Sequence, residues 1–475
     1  MPKDEQIFAI TRENNETFGY ATGSRERVDE IAAKWNGDSS AAEVANSEVA
    51  EEENTFSHHT ALSETLSAAT DFCLSQYQIL GLLSSIQSGL YQSYIKINVL
   101  KRLEKSNVPC EDVGDCKIYE IDDAMSEEIA KADKRGEVLR LGSGKIGPSV
   151  FLGMVASFDA LIVDIVGKLI QLNPERYVAS EKTVAIGDII NAASKDDIIK
   201  GFVADELYRF SRESHDSQNS YIEKNFNIKI KESWKRYPDF IEVFERRNLI
   251  AHGEPAFNMR YASICEAAGH KGMAGQVGKP IELRYAYQEQ ALFILSEYAI
   301  LLSFALWRKH AADKEKEAFE TLNETGYKLI QDGHFILAER ILSFALSLKN
   351  IGVSEEIRKM MVVNCASAAR SMENDGKANC TKVLNREDWT ASSLPFQLSV
   401  AALKEEIDIV VDLIPQVKNI GFELSNFRQW PVFRFIKDNA EFNDALEKNY
   451  GERLSKAPRV LEEAKAPDVG ELTMH

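Results

Sequence analysis

The sequence predicts a mainly α-helical protein, in which a helical bundle is followed by stacked helical repeats and preceded by a small α/β fragment. Three observations predict this fold class. Apolar residues recur at three- and four-residue steps over long stretches, most regularly in residues 62–105 and 149–172. Beyond residue 312 the helical pattern divides into pairs, with the first turn at Asp332–Gly333. Strand-like alternation is confined to a few short segments.

The N-terminal fragment has the pattern of a hairpin followed by a helix. Residues 7–10 and 18–21 alternate in polarity around a polar turn at 14–16, which predicts two antiparallel strands. Ser24 is well placed as the N-cap of the helix that follows. Residues 37–55 are rich in Gly, Ser, Ala and Glu and show no period, so we expect a flexible acidic linker.

The clearest amphipathic helix is predicted over residues 149–172 and ends at Asn173–Pro174. Its apolar stripe consists of Phe151, Val155, Phe158, Ile162, Ile165 and Leu169. The preceding segment, Leu141–Gly147, superficially resembles a phosphate-binding loop. That loop requires Gly at position 139, which is Leu, and Ser or Thr at position 146, which is Ile. We therefore expect a plain loop there, with Pro148 in the first turn of the helix.

These patterns divide the chain into six segments, because 475 residues exceed one compact core. Further helices are predicted near 187–211, 216–233, 238–252 and 284–310, and the repeats carry helices near 354–372, 373–385 and 395–419. The expected segments are a small α/β element (1–36), the linker (37–55), a helical N-terminal region (56–147), a helical bundle (148–311), helical repeats (312–450) and a disordered tail (451–475).

Composition narrows the classes of function. The net charge of −18 and a pI near 5.1 argue against a basic surface for nonspecific nucleic-acid binding, although a local basic cleft is compatible with them. The six cysteines are irregularly spaced, so we expect no metal site, no cofactor and no disulfide framework. The apolar run Ala291–Trp307 contains Glu297 and is too short for a membrane span, and the N-terminus has no signal-peptide pattern. These features predict a cytoplasmic protein.

The candidate catalytic residues are Arg247, Asn248 and His252, which lie within the segment Phe244–Glu254. A guanidinium can grip a phosphate with two parallel hydrogen bonds, and an imidazole can transfer protons near neutral pH. On a regular helix Asn248 and His252 share a face, whereas Arg247 points about 140° away from His252. Either the helix unwinds near Gly253, or two copies of the segment meet across a dimer axis.

The chemistry that fits these three residues is metal-free RNA cleavage, in which the ribose 2′-oxygen attacks the adjacent phosphorus. His252 would be the general base or acid, and Arg247 would stabilise the phosphoryl oxygens. Asn248 would orient the substrate or the histidine. The plainer alternative is that the group only caps the end of a helix.

The run Arg247–His252 matches the Arg-polar-x3-His motif of the HEPN superfamily. The segment from Ala156 to Glu175 resembles the opening helix of RiboL-PSP-type and related HEPN domains of bacterial conflict systems. Asn258–Tyr261 is similar to the segment that follows their motif. The resemblance covers about residues 148–310. It implies an all-α bundle that dimerises through the motif-bearing helices, endoribonuclease activity in many members, and Arg247, Asn248 and His252 as catalytic residues.

Within the resemblance, Arg246 and Arg260 are assigned to substrate binding. Asp159 stands where such helices often have Glu, and we expect it to be a solvated helix residue. His215 is expected in a polar loop. His270 falls in the glycine-containing loop 269–278, which is a candidate lid over the cleft.

The C-terminal region resembles TPR-like helical repeats, through Lys382–Trp389 and Gln429–Phe433. That resemblance implies a protein-binding concavity or a scaffold, with Trp389, Trp430 and Phe433 in its core. The leading hypothesis is thus a homodimeric endoribonuclease of antiphage defence or a toxin-like effector, with RNA as substrate and a protein partner on the repeats. The alternative is a non-catalytic dimeric HEPN/TPR interaction or sensor protein. No membrane association is expected.

Overall fold

The computed structural model describes residues 8–14, 17–23, 58–100, 103, 105, 110–113, 116–119, 123–172, 174, 192, 194–348 and 353–455. The described residues are predominantly helical, as the sequence predicts. The chain divides into two compact units, Met1–Phe56 and Ser57–His475. The expected linker at 37–55 lies outside the described residues, as do residues 456–475 of the tail expected at 451–475. The segment boundaries inside the second unit remain predictions.

The first unit contains the predicted hairpin. Strands β1 (Phe8–Asn14) and β2 (Thr17–Gly23) pair antiparallel, from Phe8 opposite Gly23 to Asn14 opposite Thr17. The predicted hairpin is therefore confirmed, and the helix expected after it lies outside the described residues. A second short hairpin, β3 (Cys110–Val113) and β4 (Cys116–Tyr119), belongs to the second unit.

Long helices form the centre of the second unit. Helix α1 (His58–Ile95) continues into a short π-helical turn at Lys96–Leu100, and it packs on α2 (Asp123–Leu172). The later helices of the bundle are α3 (Lys195–Arg212), α4 (His215–Phe226), α5 (Tyr237–Ala251), α6 (Met259–Ala267) and α7 (Tyr285–His310). A short 3-10 turn, Met273–Gln276, lies between α6 and α7.

The apolar stripe of α2 is buried as predicted, and Phe158 is at its centre. The Phe158 ring lies 6.0 Å from Phe72 on α1, 5.8 Å from Phe240 and 5.7 Å from Phe244 on α5, and 5.9 Å from Tyr298 on α7. Such edge-to-face and tilted aromatic contacts add to the hydrophobic contribution of burial. One side chain thus joins four helices, α1, α2, α5 and α7.

The prediction of a loop at Leu141–Gly147 is wrong, because α2 continues through this segment without a break. Pro148 lies inside this helix rather than in its first turn. A proline there removes one backbone hydrogen bond, the one to Gly144 four residues earlier. Gly144 is exposed, so water can satisfy its carbonyl, while Ile146 and Val150 pack against the core on the other face. This packing outweighs the low helix propensity of the segment.

Two helices, α2 and α7, contain windows long and apolar enough to cross a membrane by length and composition. The window in α7 is 78% buried inside the fold and the one in α2 is 50% buried. A helix at the centre of a helical bundle meets the same criterion, because it is apolar on nearly all sides.

The C-terminal half consists of helical pairs. Asp332–Gly333 forms the predicted turn between α8 and α9, with φ +86° at Gly333, a conformation that glycine adopts without strain. From α8 to α13 each helix packs on the next, α8 also packs on α10, and α13 packs on α15. The helices are α8 (Glu315–Gln331), α9 (Phe335–Ser347), α10 (Glu355–Arg370), α11 (Gly376–Leu384), α12 (Leu394–Lys404), α13 (Ile407–Asn419), α14 (Leu424–Gln429) and α15 (Ala440–Tyr450).

The three aromatic residues predicted for the core of this half differ in burial. Phe433 is buried, at 1% exposure. Trp389 and Trp430 are half-buried, and each indole donates a hydrogen bond, Trp389 to the Leu384 carbonyl at 2.8 Å and Trp430 to Asn364 Oδ1 at 3.2 Å. Their rings therefore pack against the core while their polar edges hold neighbouring elements.

Candidate functional site

The candidate catalytic residues lie at the C-terminal end of α5. The helix is regular through Ala251, and His252 is its C-cap. Gly253 has φ +71°, the Glu254 amide donates to the Leu249 carbonyl at 3.0 Å, and the Gly253 amide donates to Ile250 at 3.1 Å. This pair of bonds is a Schellman motif, whose left-handed position favours glycine. The predicted stop at Gly253 is confirmed, and the helix does not unwind before His252.

Arg247 is anchored on one side by a carboxylate from α2. Its Nη2 donates to Asp159 Oδ2 at 3.2 Å, and the other oxygen of that carboxylate, Oδ1, lies 2.8 Å from Nε2 of His215. Nε of Arg247 is buried and has no hydrogen-bond acceptor among the described residues. The expectation that Asp159 is a solvated helix residue is therefore wrong, since this carboxylate joins α2, α4 and α5.

His215 belongs to this cluster rather than to a polar loop. Ser214 caps α4 by accepting a hydrogen bond from the Ser217 amide, which makes His215 the first residue of the helix. The His215 ring stacks on Phe244 with centroids 3.3 Å apart, and its side chain is only 14% exposed. Burial lowers the pKa of His215, and the hydrogen bond and charge of Asp159 oppose that shift only in part. The imidazole is thus neutral near pH 7.

A second stripe of α5 carries Glu245, Asn248 and His252, which helical geometry places on one face. Asn248 Nδ2 donates to Glu245 Oε1 at 3.4 Å. Burial raises the pKa of Glu245, and the charge of Arg260 opposes this shift. His252 is exposed at the end of the stripe.

Within one chain, therefore, the structure does not bring all three residues together. Arg247 contacts Asp159 and faces His215. Asn248 and His252 lie on the second stripe, and on a regular helix His252 points about 140° away from Arg247. The unwinding alternative is excluded by the intact helix. The remaining way to bring Arg247 and His252 to one phosphate is across two copies of the chain, and the dimer stays a prediction.

The two arginines assigned to substrate binding have different surroundings. The Arg246 guanidinium donates to buried Glu242 at 2.7 Å and lies 3.8 Å from the Tyr287 ring centre, so most of its binding capacity is used inside the protein. Arg260 is exposed in the first turn of α6, whose N-cap Asn258 accepts from the Tyr261 amide. Of the two, only Arg260 is free to meet a ligand in solution.

The remaining histidines add little to the site. His270 Nε2 lies 3.5 Å from Asp239 Oδ1, at the other end of α5 from His252. Among the described residues, no group of three or more His, Cys, Asp or Glu side chains is arranged to hold a metal ion. Cys73, Cys265, Cys365 and Cys380 are buried free thiols.

Comparison with protein-family models, with curated proteins and with solved structures gave no match for this chain. The arrangement must accordingly be interpreted from its own residues. It offers a partly exposed guanidinium held in place by a carboxylate, an amide, and an exposed imidazole. These are the groups needed to bind a phosphodiester and to move a proton beside it.

Proposed function

We propose that the protein is a metal-independent endoribonuclease of the HEPN type that acts in bacterial antiphage defence or as a toxin-like effector. The observation that carries the proposal is the placement of Arg247. Its guanidinium is fixed by Asp159 through Nη2, and its side chain is 27% exposed. An oriented, partly exposed guanidinium suits an anionic ligand.

In this proposal, neutral His252 accepts the proton of a ribose 2′-hydroxyl. The 2′-oxygen then bonds to the neighbouring phosphorus, and the bond from phosphorus to the 5′-oxygen breaks. Arg247 of the second copy stabilises the charge on the phosphoryl oxygens, and a protonated His252 returns a proton to the leaving 5′-oxygen. The products are a 2′,3′-cyclic phosphate and a 5′-hydroxyl. Asn248 orients the RNA, and Arg260 contributes charge to its phosphates.

The test is cleavage of single-stranded RNA in EDTA by wild type, His252→Ala and His270→Ala. Because His252 is exposed and caps the helix only through its backbone, its replacement should leave the fold intact. We expect a loss of about 10²–10⁴-fold in rate for His252→Ala. His270→Ala, the matched control, should cut like wild type. Equal rates for wild type and His252→Ala would remove His252 from the mechanism.

A second candidate, a dimeric interaction or sensor protein without catalysis, is favoured by one observation. Asp159 neutralises much of the charge of Arg247, which weakens attraction for RNA on a chain of net charge −18. Under this alternative, wild type binds a partner through the helical repeats and leaves RNA intact in the same assay.

A further inference from the structure

A cavity of about 400 Å³ lies between the helical bundle and the first pair of repeats. Its wall combines residues from α1, α7, the turn between α8 and α9, and the residue that precedes α5. The residues used below are Tyr77, Arg236, Glu289, Phe293, His334 and Ile336. Its volume falls within the range of about 300–1,000 Å³ that small-molecule sites occupy. None of these residues belongs to the site at the end of α5.

Two flat aromatic surfaces line this cavity. The rings of Tyr77 and His334 are stacked, with centroids 3.9 Å apart and planes 26° from parallel. Phe293 presents a ring whose face is covered by the Arg236 guanidinium at 4.9 Å. Burial lowers the pKa of His334, so the stacked imidazole is neutral near pH 7. Such surfaces favour a planar ring between or against them.

Arg236 supplies the charge for an anionic group. Its Nε lies 3.5 Å from Asp239 Oδ2, and its terminal nitrogens Nη1 and Nη2 bond to no acceptor in the described part of the chain. The contact with the Phe293 ring helps to hold the guanidinium, whose terminal edge is left for in-plane hydrogen bonds. That edge matches the geometry of a phosphate.

Glu289 completes the polar wall. It is exposed at the cavity and forms no ion pair among the residues that the structure describes. A carboxylate in such a place can accept hydrogen bonds from neighbouring ribose hydroxyls. Ile336, 59% exposed, adds an apolar edge at the mouth.

We propose that this cavity binds a ribonucleoside monophosphate. The phosphate lies on Arg236, the base lies against the Tyr77–His334 pair, and the ribose hydroxyls donate to Glu289. The site is separate from the one that contains Arg247 and His252. Arg236 and His252 flank α5 at its two ends, about 24 Å apart at the helical rise of about 1.5 Å per residue.

The test is isothermal titration of the whole protein with AMP, GMP, CMP and UMP, with adenosine and with 2′-deoxy-AMP. We expect at least one monophosphate to bind, and adenosine to bind about tenfold more weakly than AMP because it lacks the phosphate. Arg236→Gln should weaken AMP binding by about tenfold or more. Lys235→Gln, which removes an exposed neighbouring charge outside the cavity, should not change it.

A second variant keeps the test valid if Arg236→Gln does not fold. Glu289→Gln alters an exposed side chain, and it should weaken AMP binding more than 2′-deoxy-AMP binding, because 2′-deoxy-AMP has only one of the two hydroxyls that donate to Glu289. The proposal is overturned if no monophosphate binds at millimolar concentration, or if Arg236→Gln folds and binds AMP like wild type.

Discussion

Arg246 and Arg247 are consecutive residues of α5, but their surroundings are opposite in kind. Arg246 lies in a closed network with Glu242, which is 6% exposed and also accepts from Tyr261 at 2.6 Å and from Tyr287 at 2.7 Å. Arg247 lies in an open cluster, where Asp159 uses one of its nitrogens and Nε has no acceptor among the described residues. Arg246 helps to hold the helix in the fold, whereas the Arg247 side chain is itself held by Asp159.

This difference shows that neighbouring charged residues of a motif can have different roles, so that each role must be assigned from the contacts of that residue. Successive residues of a helix point about 100° apart, so each meets a different part of the fold. Closed networks stabilise, because every polar atom has a partner and removal of one leaves others buried and unpaired. Open clusters retain capacity for a ligand. The predictions below test this contrast, from the largest expected effect to the smallest.

The largest effect is expected in the closed network. Glu242→Ala leaves the Arg246 guanidinium and two tyrosine hydroxyls without their shared acceptor. We expect the free energy of unfolding to fall by about 3–5 kcal/mol, the cost of breaking a buried ion pair by removing one partner. Thermal melting followed by circular dichroism measures this change. Glu254→Ala, at an exposed position, is the control, and a wild-type melting temperature for Glu242→Ala would show that the network is not stabilising.

In the open cluster, Arg247→Ala should act on cleavage more than on stability. Loss of one charge-stabilising donor typically costs about 10²–10³-fold in rate. Because the Arg247 side chain is 27% exposed and has one carboxylate partner, melting should stay near wild type. Single-turnover RNA cleavage and melting, measured on the same sample, separate the two effects. A large drop in melting temperature with an unchanged cleavage rate would show instead that Arg247, like Arg246, mainly stabilises the fold.

Asp159→Asn tests the same contrast, because it removes the carboxylate by which α2 binds Arg247 and His215 of the open cluster. The amide removes the negative charge that pairs with Arg247 and has one acceptor oxygen in place of two, so that His215 must change tautomer to stay hydrogen-bonded. We therefore expect a loss of about 1–3 kcal/mol in stability. Cleavage should fall as well, since Arg247 is no longer held. Asp164→Asn is the matched control on the same helix, where a surface pair with Lys168 at 3.2 Å contributes about 0–1 kcal/mol. Equal stability losses in the two variants would contradict a special role for Asp159.

The smallest effect is a dependence of stability on pH through His215. Burial lowers its folded pKa below the ordinary value of 6.5, so the unfolded chain binds the proton more readily than the folded one. The contribution of neutral His215 is therefore complete above that ordinary value and is lost as pH falls toward the folded pKa. Melting between about pH 7.5 and about pH 5 should decline less in His215→Gln than in wild type. An unchanged decline in the variant would refute the assignment.

The sequence predicted the apolar part of the fold well. The stripe from Phe151 to Leu169, the turn at Asp332–Gly333 and the end of α5 at Gly253 all follow local rules of periodicity and chain geometry. The continuity of α2 through Pro148 was missed, because tertiary packing of Ile146 and Val150 overrides local propensity.

The candidate site was predicted only in part for a related reason. Arg247, Asn248 and His252 lie in one short segment, so a local motif could identify them. The contact between His215 and Asp159 joins residues 56 positions apart and depends on how α4 packs against α2. A single sequence contains no local pattern for such a pair. The separation of Arg246 from Arg247 likewise depends on partners, Glu242 and Asp159, that only the folded chain specifies.

The most direct test of the account compares the two arginines with charge retained. Cleavage of RNA in EDTA, with rates normalised to folded protein and product ends identified by mass spectrometry, is measured for wild type, Arg246→Lys and Arg247→Lys. We predict 2′,3′-cyclic phosphate ends from wild type, a rate for Arg246→Lys near that of wild type, and a loss of about tenfold or more for Arg247→Lys, because lysine lacks the planar fork. Intact RNA with the wild-type protein, or equal rates for the two variants, would contradict the account.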